Sequence, residues 1–462
     1  MIELLNDIKL LKKYHASLVN DYTEYPTKAH WSENFGQNEY KNCLVDWIGK
    51  NPDKKILFYV HTPFCEQLCY FCLCSKFITQ DYDKVKNYLY NYLFKEIDLL
   101  KNHLNKNKLS LNVNEIYFGG GSPTYYKEEE FKNLIEKLKE LFEFKKVDDF
   151  TVEIDPRRVN EEKLLFYSEM GVNRLSFGIQ DFDIDVQKEI NRIQPPELLK
   201  KLLTDKVRKS FNAINFDLLI GLPAQNVTTI KKTINKVVEL KPTQIQTMYM
   251  HYKPQTRKYM IKMQRNLLLP DFYDRKAMFA NASKNLLESG YKRAGFESYA
   301  LPEDVLSKSI DKGEAYYNSL GTQKGEVTNF VAVGSSAHGC LGNEYYFQNF
   351  YEQNLYREAI DRNEFPIYRG MKLTEDDKIR QYITKTIRTY FKIEYEEVNS
   401  KYNVNFINYF EPELKALEEF SKDGLININD KNLKLTEVGV HFSPQIAEVF
   451  DKHNKINYKG LV

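Results

Sequence analysis

No stretch of this 462-residue chain approaches the roughly 18 consecutive apolar residues that span a bilayer, which argues against stable membrane insertion. Charge of one sign is not in excess either. Sixty-six Lys and Arg stand against 64 Asp and Glu, for a net charge of +2, and give no electrostatic case for nucleic acid or an anionic membrane. The start, Met1-Ile-Glu-Leu-Leu-Asn-Asp7, is charged and amphipathic and lacks the apolar core of a signal peptide. Six cysteines are too few for a disulfide scaffold. Internal repeats of fixed period and low-complexity tracts are absent. The expectation is a soluble, cytoplasmic chain. Its 42% hydrophobic content is enough for a large core, and its length allows about two to four domains.

Against that sparseness, four of the six cysteines crowd one short segment, Cys65-Glu-Gln-Leu-Cys69-Tyr-Phe-Cys72-Leu-Cys74. The first three have the spacing C-x3-C-x2-C. Three thiolates on one loop can hold three irons of a cubane iron–sulfur cluster and leave the fourth iron open. An open metal position is where a substrate or cosubstrate binds. A structural zinc site would need a second Cys or His pair, but Cys43 and Cys340 are isolated. Adjacent thiols in a cytosol stay reduced.

From residue 56 short apolar runs alternate with helical stretches. Strands are expected at 56–60, 115–118, 150–154, 174–179, 215–220 and 244–249, with helices around 83–104 and over 127–143. The pattern indicates an α/β protein with a parallel sheet or barrel. Residues 1–55 read as a polar, aromatic-dotted extension and 56–365 as the barrel with its substrate-side additions. Residues 366–462 read as a mainly helical domain closed by a small hairpin within 424–436.

Parallel barrels place their active site at the C-terminal ends of the strands. The cysteine loop, the run Gly119-Gly120-Gly121-Ser122-Pro123-Thr124, Glu153, Gln180 and Asp217 all fall at or just after such ends. Glycines there let the backbone approach a ligand, or make a tight strand–helix turn. Glu153 suits a cationic or hydroxylated ligand, or a cap; Asp155, just before Pro156, is the better N-cap. Arg192 suits a carboxylate, because a guanidinium donates two parallel hydrogen bonds.

The cysteine motif followed by the glycine run resembles the radical S-adenosylmethionine (SAM) superfamily. Over most of its length the chain is similar to one family within it, the oxygen-independent coproporphyrinogen III oxidases, or coproporphyrinogen dehydrogenases. The similarity is carried by Tyr22-Thr-Glu-Tyr-Pro-Thr27, Tyr59-Val-His-Thr-Pro-Phe-Cys65, the added Cys74, and Phe177-Gly-Ile-Gln-Asp-Phe182. Asn191-Arg192, Asp217-Leu-Leu-Ile-Gly-Leu-Pro223 and the closing segment from Leu373 through Leu425 extend it.

The resemblance implies a partial parallel (β/α)6-type barrel. It implies a [4Fe–4S] cluster on Cys65, Cys69 and Cys72, with Cys74 not a ligand. Contacts to one or two SAM molecules would come from Tyr59, Gly119, Gly120, Gly121, Ser122, Glu153, Gln180, Arg192 and Asp217. The implied catalytic set is Tyr59, His61, Cys74, Tyr317, Asn318 and His338. The implied reaction starts with a 5′-deoxyadenosyl radical, made with an electron from a donor such as flavodoxin or ferredoxin. The radical removes hydrogen from a propionate of coproporphyrinogen III. Loss of carbon dioxide and one electron then leaves a vinyl group, at two rings in turn.

Departures from the family pattern gather on the substrate side. The family's G-P-R stands where this chain has Leu18-Val19-Asn20-Asp21, so an acid replaces an arginine expected to attract a propionate. A Phe-Gln pair becomes Tyr317-Asn318, Y-A-H-L-P becomes Met250-His251-Tyr252-Lys253-Pro254, and S-A-I becomes Ser336-Ala337-His338. Lys253 offers a substitute propionate anchor. His338 offers a nitrogen for haem iron, or is a structural histidine. Two further readings follow: methyl transfer to haem or its opening to a linear tetrapyrrole, and a haem-binding chaperone of the same family.

Overall fold

Short runs rich in Ile, Val, Phe and Leu, each too brief for a helix and ending in polar or glycine residues, pair into one sheet. The computed structural model describes residues 8–14, 22–264, 267–325 and 328–453. In it the six expected strands are β1 Ile56–Thr62, β2 Val113–Gly120, β3 Asp149–Ile154, β4 Arg174–Gln180, β5 Ala213–Ile220 and β6 Gln244–Tyr249. They lie side by side in chain order, and every neighbouring pair is parallel. Every residue of β1 is buried, as expected of a strand covered on both faces.

The crossover helices follow from caps and apolar stripes. Helix Glu128–Lys139 buries Phe131, Leu134, Ile135 and Leu138, a spacing of three and four that lines one face. It has three acids in its first turn and lysines in its last, matching the helix dipole. It ends four residues before the expected 143, because Phe142 and Phe144 turn inward and stack at 5.4 Å. The stretch expected at 83–104 is helical from Tyr82 to Lys106, interrupted by a π segment at Leu89–Leu93. Asn226 caps helix Val227–Leu240 by accepting from Thr228 and Thr229 N–H.

The sheet is wider than six strands. β7 Asn329–Val333 runs parallel to β1 on its open side. The antiparallel strands β8 His338–Leu341, β9 Tyr345–Asn349 and β10 Ile367–Lys372 continue that edge. Beyond β6, Ser298–Ala300 and Lys292–Arg293 add antiparallel strands, for twelve in all among the described residues. The sheet therefore runs through Lys372, past the boundary expected at 365/366. Residues 37–50 are a helix, and its Tyr40, Cys43, Leu44, Trp47 and Ile48 join the barrel core. Part of the expected polar extension thus belongs to the barrel.

Glu96 ties the widened edge to the barrel. On helix Phe94–Lys106 and 2% exposed, it accepts from Gly334 N–H at 2.8 Å, Asn349 Nδ2 at 2.6 Å and Tyr356 Oη. Burial pushes its carboxyl up to about 7. Glu96→Ala strands Gly334 N–H, whereas Asn349 Nδ2 keeps Gly334 O at 2.9 Å and Tyr356 keeps Tyr88. Urea denaturation is expected to show a loss of about 1–3 kcal/mol, the usual cost of one stranded buried donor.

After Thr374, which caps helix Glu375–Tyr390, the chain builds a second core around Ile383, Ile387, Val398, Phe406, Phe410 and Phe442. Its hairpin, Ile426–Ile428 with Asn432–Leu435, gains a third strand at Lys392–Glu394. Leu10, Leu11, Tyr14, Tyr22 and Tyr25 pack into this core, so the N-terminal segment straps the C-terminal domain to the barrel. No helix among the described residues is long and apolar enough to cross a membrane.

Candidate active site

Six parallel strands put six C-terminal ends on one rim, and a cavity of about 1030 Å³ opens there. The loop after β1 enters it first. Phe64–Cys65 pairs with Phe77–Ile78, which closes the cysteine loop on itself, and Cys65, Cys69, Cys72 and Cys74 all line the cavity. A loop without regular structure needs donors for its carbonyls. Asn191 Nδ2 donates to Leu68 O at 2.8 Å, and Arg257 Nη2 to Leu73 O at 3.2 Å. Lys76 Nζ donates to Cys72 O at 3.1 Å and Cys74 O at 3.3 Å, and Tyr259 Oη donates to Cys72 O.

The donor set fits an iron–sulfur cubane. Cys69 Sγ accepts from Arg192 Nη1 at 3.6 Å and Arg157 Nη2 at 3.8 Å. The Cys74 thiol hydrogen-bonds Cys72 and holds it below the ordinary thiol range; burial opposes this and Lys76 assists. The same bond holds Cys74 protonated. Burial pushes the Cys65 thiol up to about 12. Among the described residues no three His, Cys, Asp or Glu side chains converge on a single metal-ion position. A cubane does not require it, since each thiolate takes a different iron.

Beside the thiols stands a polar collar. Glu153, at the end of β3, accepts from Gly120 N–H at 3.0 Å and Tyr117 Oη at 3.3 Å. Burial, with Asp217 adding repulsion, pushes its carboxyl up to about 8. Asp217 on β5 accepts from Ser176 Oγ at 2.9 Å and Asn215 Nδ2 at 2.7 Å, and burial raises it as well. Arg192 Nη2 donates to Gly178 O at 2.8 Å, and Nη1 lies 3.5 Å from Asp155. Burial works against ionising Asp155, but Arg192 and the bidentate Arg157 hold it well below the usual carboxylate range. Asp155 also caps the short 3-10 helix Pro156–Arg158, as expected. Gln180 ends β4 with φ +67° next to a bulge, the kind of backbone strain that collects at functional sites.

Cys65, Cys69, Cys72, Cys74, Gly120, Gly121, Ser122, Glu153, Gln180, Arg192, Asp217, Tyr317 and Asn318 line the one cavity. Tyr59, His61, Gly119 and His338 stand behind its wall. His61 accepts from Tyr59 Oη at 3.2 Å through Nδ1 and donates to Ser75 O at 2.9 Å through Nε2. Burial lowers it to about 4, so it is a neutral brace between β1 and the cysteine loop. A Cβ on Gly119 would lie 2.8 Å from Glu153 Oε1, which gives that glycine a packing reason.

His338 does not offer a free nitrogen to iron. Its Nε2 is 2.9 Å from Glu24 Oε1 and 3.2 Å from Ser319 Oγ, and its Nδ1 is 3.5 Å from Lys28 Nζ. Burial opposes ionising Glu24, yet Lys28 and His338 hold it well below the usual carboxylate range. Lys253 is exposed and off the cavity wall, while His251 lies on it. Leu18 to Asp21 fall outside the described residues.

Sequence reasoning missed Lys76, Arg157 and Glu297 on the wall, and Arg388 behind it. Lys76 and Arg157 each sit two residues from a singled-out position, Cys74 and Asp155, and that adjacency was their signal. Arg388 reaches the site from the C-terminal domain and left no local signal.

Residues 59–237 match the Radical SAM superfamily, and residues 373–442 match the HemN C-terminal domain. The oxygen-independent coproporphyrinogen III oxidase of Helicobacter pylori is 31% identical over 94% of this chain and 93% of its own length. That of Escherichia coli is also 31% identical, over 97% and 95%. The solved structure of the Escherichia coli coproporphyrinogen III oxidase HemN, described as a radical SAM enzyme, superposes with a TM-score of 0.87 at 30% identity. It covers 96% of this chain and 98% of that one.

Proposed function

Because the chain belongs to the oxygen-independent coproporphyrinogen III oxidase family, we propose that it converts propionates of coproporphyrinogen III to vinyl groups by radical-initiated decarboxylation. The observation that carries this reading is one cavity joining three thiols of one loop to the collar of Gly120, Glu153, Arg192 and Asp217. Cys65, Cys69 and Cys72 would hold a [4Fe–4S] cluster, and SAM would occupy the collar. When bound, these two supply the carbon radical that removes a propionate hydrogen.

The protein's own residues bind and orient. Arg192, held by Gly178 O and Gln194 Oε1, presents a guanidinium edge to the SAM carboxylate. The backbone of Gly120 and Gly121 receives the amino group, and Glu153, Gln180 and Asp217 receive hydroxyls and positive charge. The cavity volume is at the top of the roughly 300–1,000 Å³ usual for small-molecule sites, leaving room for a tetrapyrrole beside a nucleoside. An external donor such as flavodoxin or ferredoxin would supply the electron. The haem-modifying reading rests on the altered anchor at Leu18–Asp21, outside the described residues, and on His338, and the haem-chaperone reading rests on His338, whose ring is engaged at both nitrogens.

The test is anaerobic turnover with coproporphyrinogen III and haem offered in parallel and products read by mass spectrometry. Loss of two carboxyl groups from coproporphyrinogen is the expected result. Modified haem with coproporphyrinogen untouched would overturn the reading.

Glu153 gives this binding a pH signature. Its carboxyl holds a proton in the empty site below about pH 8. SAM carries net positive charge, so binding favours the ionised form and expels that proton. Affinity is expected to rise with pH up to about 8 and then level off. Calorimetry in two buffers of different ionisation enthalpy reads the released proton, and Glu153→Gln should flatten the slope and lower the release by the share that Glu153 contributes, leaving that of the SAM amino group.

A further inference from the structure

Register across the sheet divides the cavity into two halves. Gly178 on β4 faces Asp217 on β5, and Asp217 faces Gln246 on β6. Gln246 pairs with Ser298, and Thr247 N–H donates to Glu297 O at 2.7 Å. Two strand spacings of about 4.8 Å put Glu297 roughly 10 Å from Asp217, on the side away from β1 and its cysteine loop. The half nearer the loop is taken by the cluster and SAM in the reading above. The other half is walled by Met250, His251, Gln246, Glu297, Tyr317 and Asn318.

Among the described residues, six carboxylates line the cavity: Glu66, Glu128, Glu153, Asp155, Asp217 and Glu297. Glu153 and Asp217 belong to the collar. Arg157 and Arg192 engage Asp155, Arg158 pairs with Glu66, and Glu128 is on the exposed rim. Glu297 is the one acid of the far half among the described residues, and it is 9% exposed. Its Oε2 lies 3.6 Å from Nη2 of Arg388, a fully buried cation that also donates to Tyr317 Oη at 3.1 Å. The two groups form a buried ion pair between the cavity wall and the C-terminal domain. A carboxylate accepts up to about four hydrogen bonds. Next to it, Asn318 is 5% exposed, and its Nδ2 is buried without a hydrogen-bond partner among the described residues. A wall with a buried anion and an unanswered amide suits a polar ligand, not bulk water.

Every pyrrole nitrogen of a porphyrinogen carries a hydrogen, whereas half of those in the oxidised porphyrin are bare acceptors. A buried carboxylate therefore distinguishes the two macrocycles. We propose that Glu297 accepts hydrogen bonds from the pyrrole N–H groups of the tetrapyrrole and thereby selects the reduced porphyrinogen over the porphyrin. This rests on the reading that the cavity takes coproporphyrinogen. Arg388 is the positioning residue: it keeps Glu297 and the Tyr317 hydroxyl aligned from the C-terminal domain.

The test is anaerobic ultrafiltration of the full-length, cluster-loaded protein with coproporphyrinogen III and coproporphyrin III, each quantified after release. Wild type is expected to prefer the porphyrinogen. Glu297→Gln should weaken porphyrinogen binding roughly ten- to hundredfold, the usual size for losing hydrogen bonds to a charged acceptor. Coproporphyrin and SAM binding should stay unchanged. Glu297→Asp, which keeps the charge, should keep the preference. If the single variant does not fold beside an unpaired Arg388, Glu297→Gln with Arg388→Met removes both charges and allows the same comparison. Porphyrinogen binding as tight as wild type in the variant, or equal weakening of both macrocycles, would overturn the role of Glu297. A wild type that binds neither macrocycle would instead overturn the proposed substrate.

Discussion

Replacing Cys65, Cys69 or Cys72 with alanine, one at a time, is expected to abolish both the brown cluster absorbance and 5′-deoxyadenosine formation. Each thiol occupies a different part of the loop and has its own support. Cys65 lies on the short strand paired with Phe77–Ile78, Cys69 faces the Arg157 and Arg192 guanidiniums, and Cys72 sits over Lys76. None of the three can move to stand in for another without breaking the bonds that clamp the loop carbonyls. A cubane left with two protein ligands exposes two irons to solvent. Cys74→Ser is the contrasting case. Cys74 reaches the others only through its hydrogen bond to Cys72, so the variant is expected to keep a full complement of iron and sulfide. Iron and sulfide analysis with electron paramagnetic resonance after reconstitution reads all four variants. A cluster-replete Cys65, Cys69 or Cys72 variant would refute the ligand set, and cluster loss in Cys74→Ser would make the fourth thiol a ligand.

The cofactor side was legible in the sequence because its signals are local. A cysteine loop, a glycine run and polar residues at strand ends sit within a few residues of the strands that aim them. The same is true of β1 to β6, each a contiguous apolar run. Contacts of long sequence separation were not legible. β7 to β10 read as scattered short runs broken by Gly334 and Gly342, and only pairing with β1 makes them a sheet edge. Helix Gln37–Lys50 looked polar because its apolar residues lie along one stripe, which the barrel covers. His338 looked like a candidate iron ligand until the fold brought Glu24, 314 positions earlier, to its ring.

The exchange of Phe-Gln for Tyr317-Asn318 was visible as a departure, but its consequence was not. The added hydroxyl accepts from Arg388, 71 residues further on, and lies 3.5 Å from Glu297. The substrate half is therefore shaped by the C-terminal domain as much as by the barrel.

Gly120→Ala is expected to weaken SAM binding more than about a hundredfold, or by roughly 2.7 kcal/mol. Two effects add. Gly120 has φ +107°, where a side chain costs on the order of 1–3 kcal/mol of backbone strain. A Cβ there would also lie 2.6 Å from the His61 ring, which is held between Tyr59 Oη and Ser75 O and has no slack. Either the ring moves and releases the end of the cysteine loop, or β2 moves and pulls Gly120 N–H away from Glu153. Both responses damage the collar, so iron content should fall together with SAM affinity. His61→Ala in the same chain removes the clash and leaves the strain. The double variant should bind SAM better than Gly120→Ala alone, a coupling that a double-mutant cycle isolates. Equilibrium dialysis of labelled SAM measures it. Additive losses would mean that the glycine is needed for its backbone angle alone, and wild-type affinity in Gly120→Ala would mean that SAM does not approach β2 at this point.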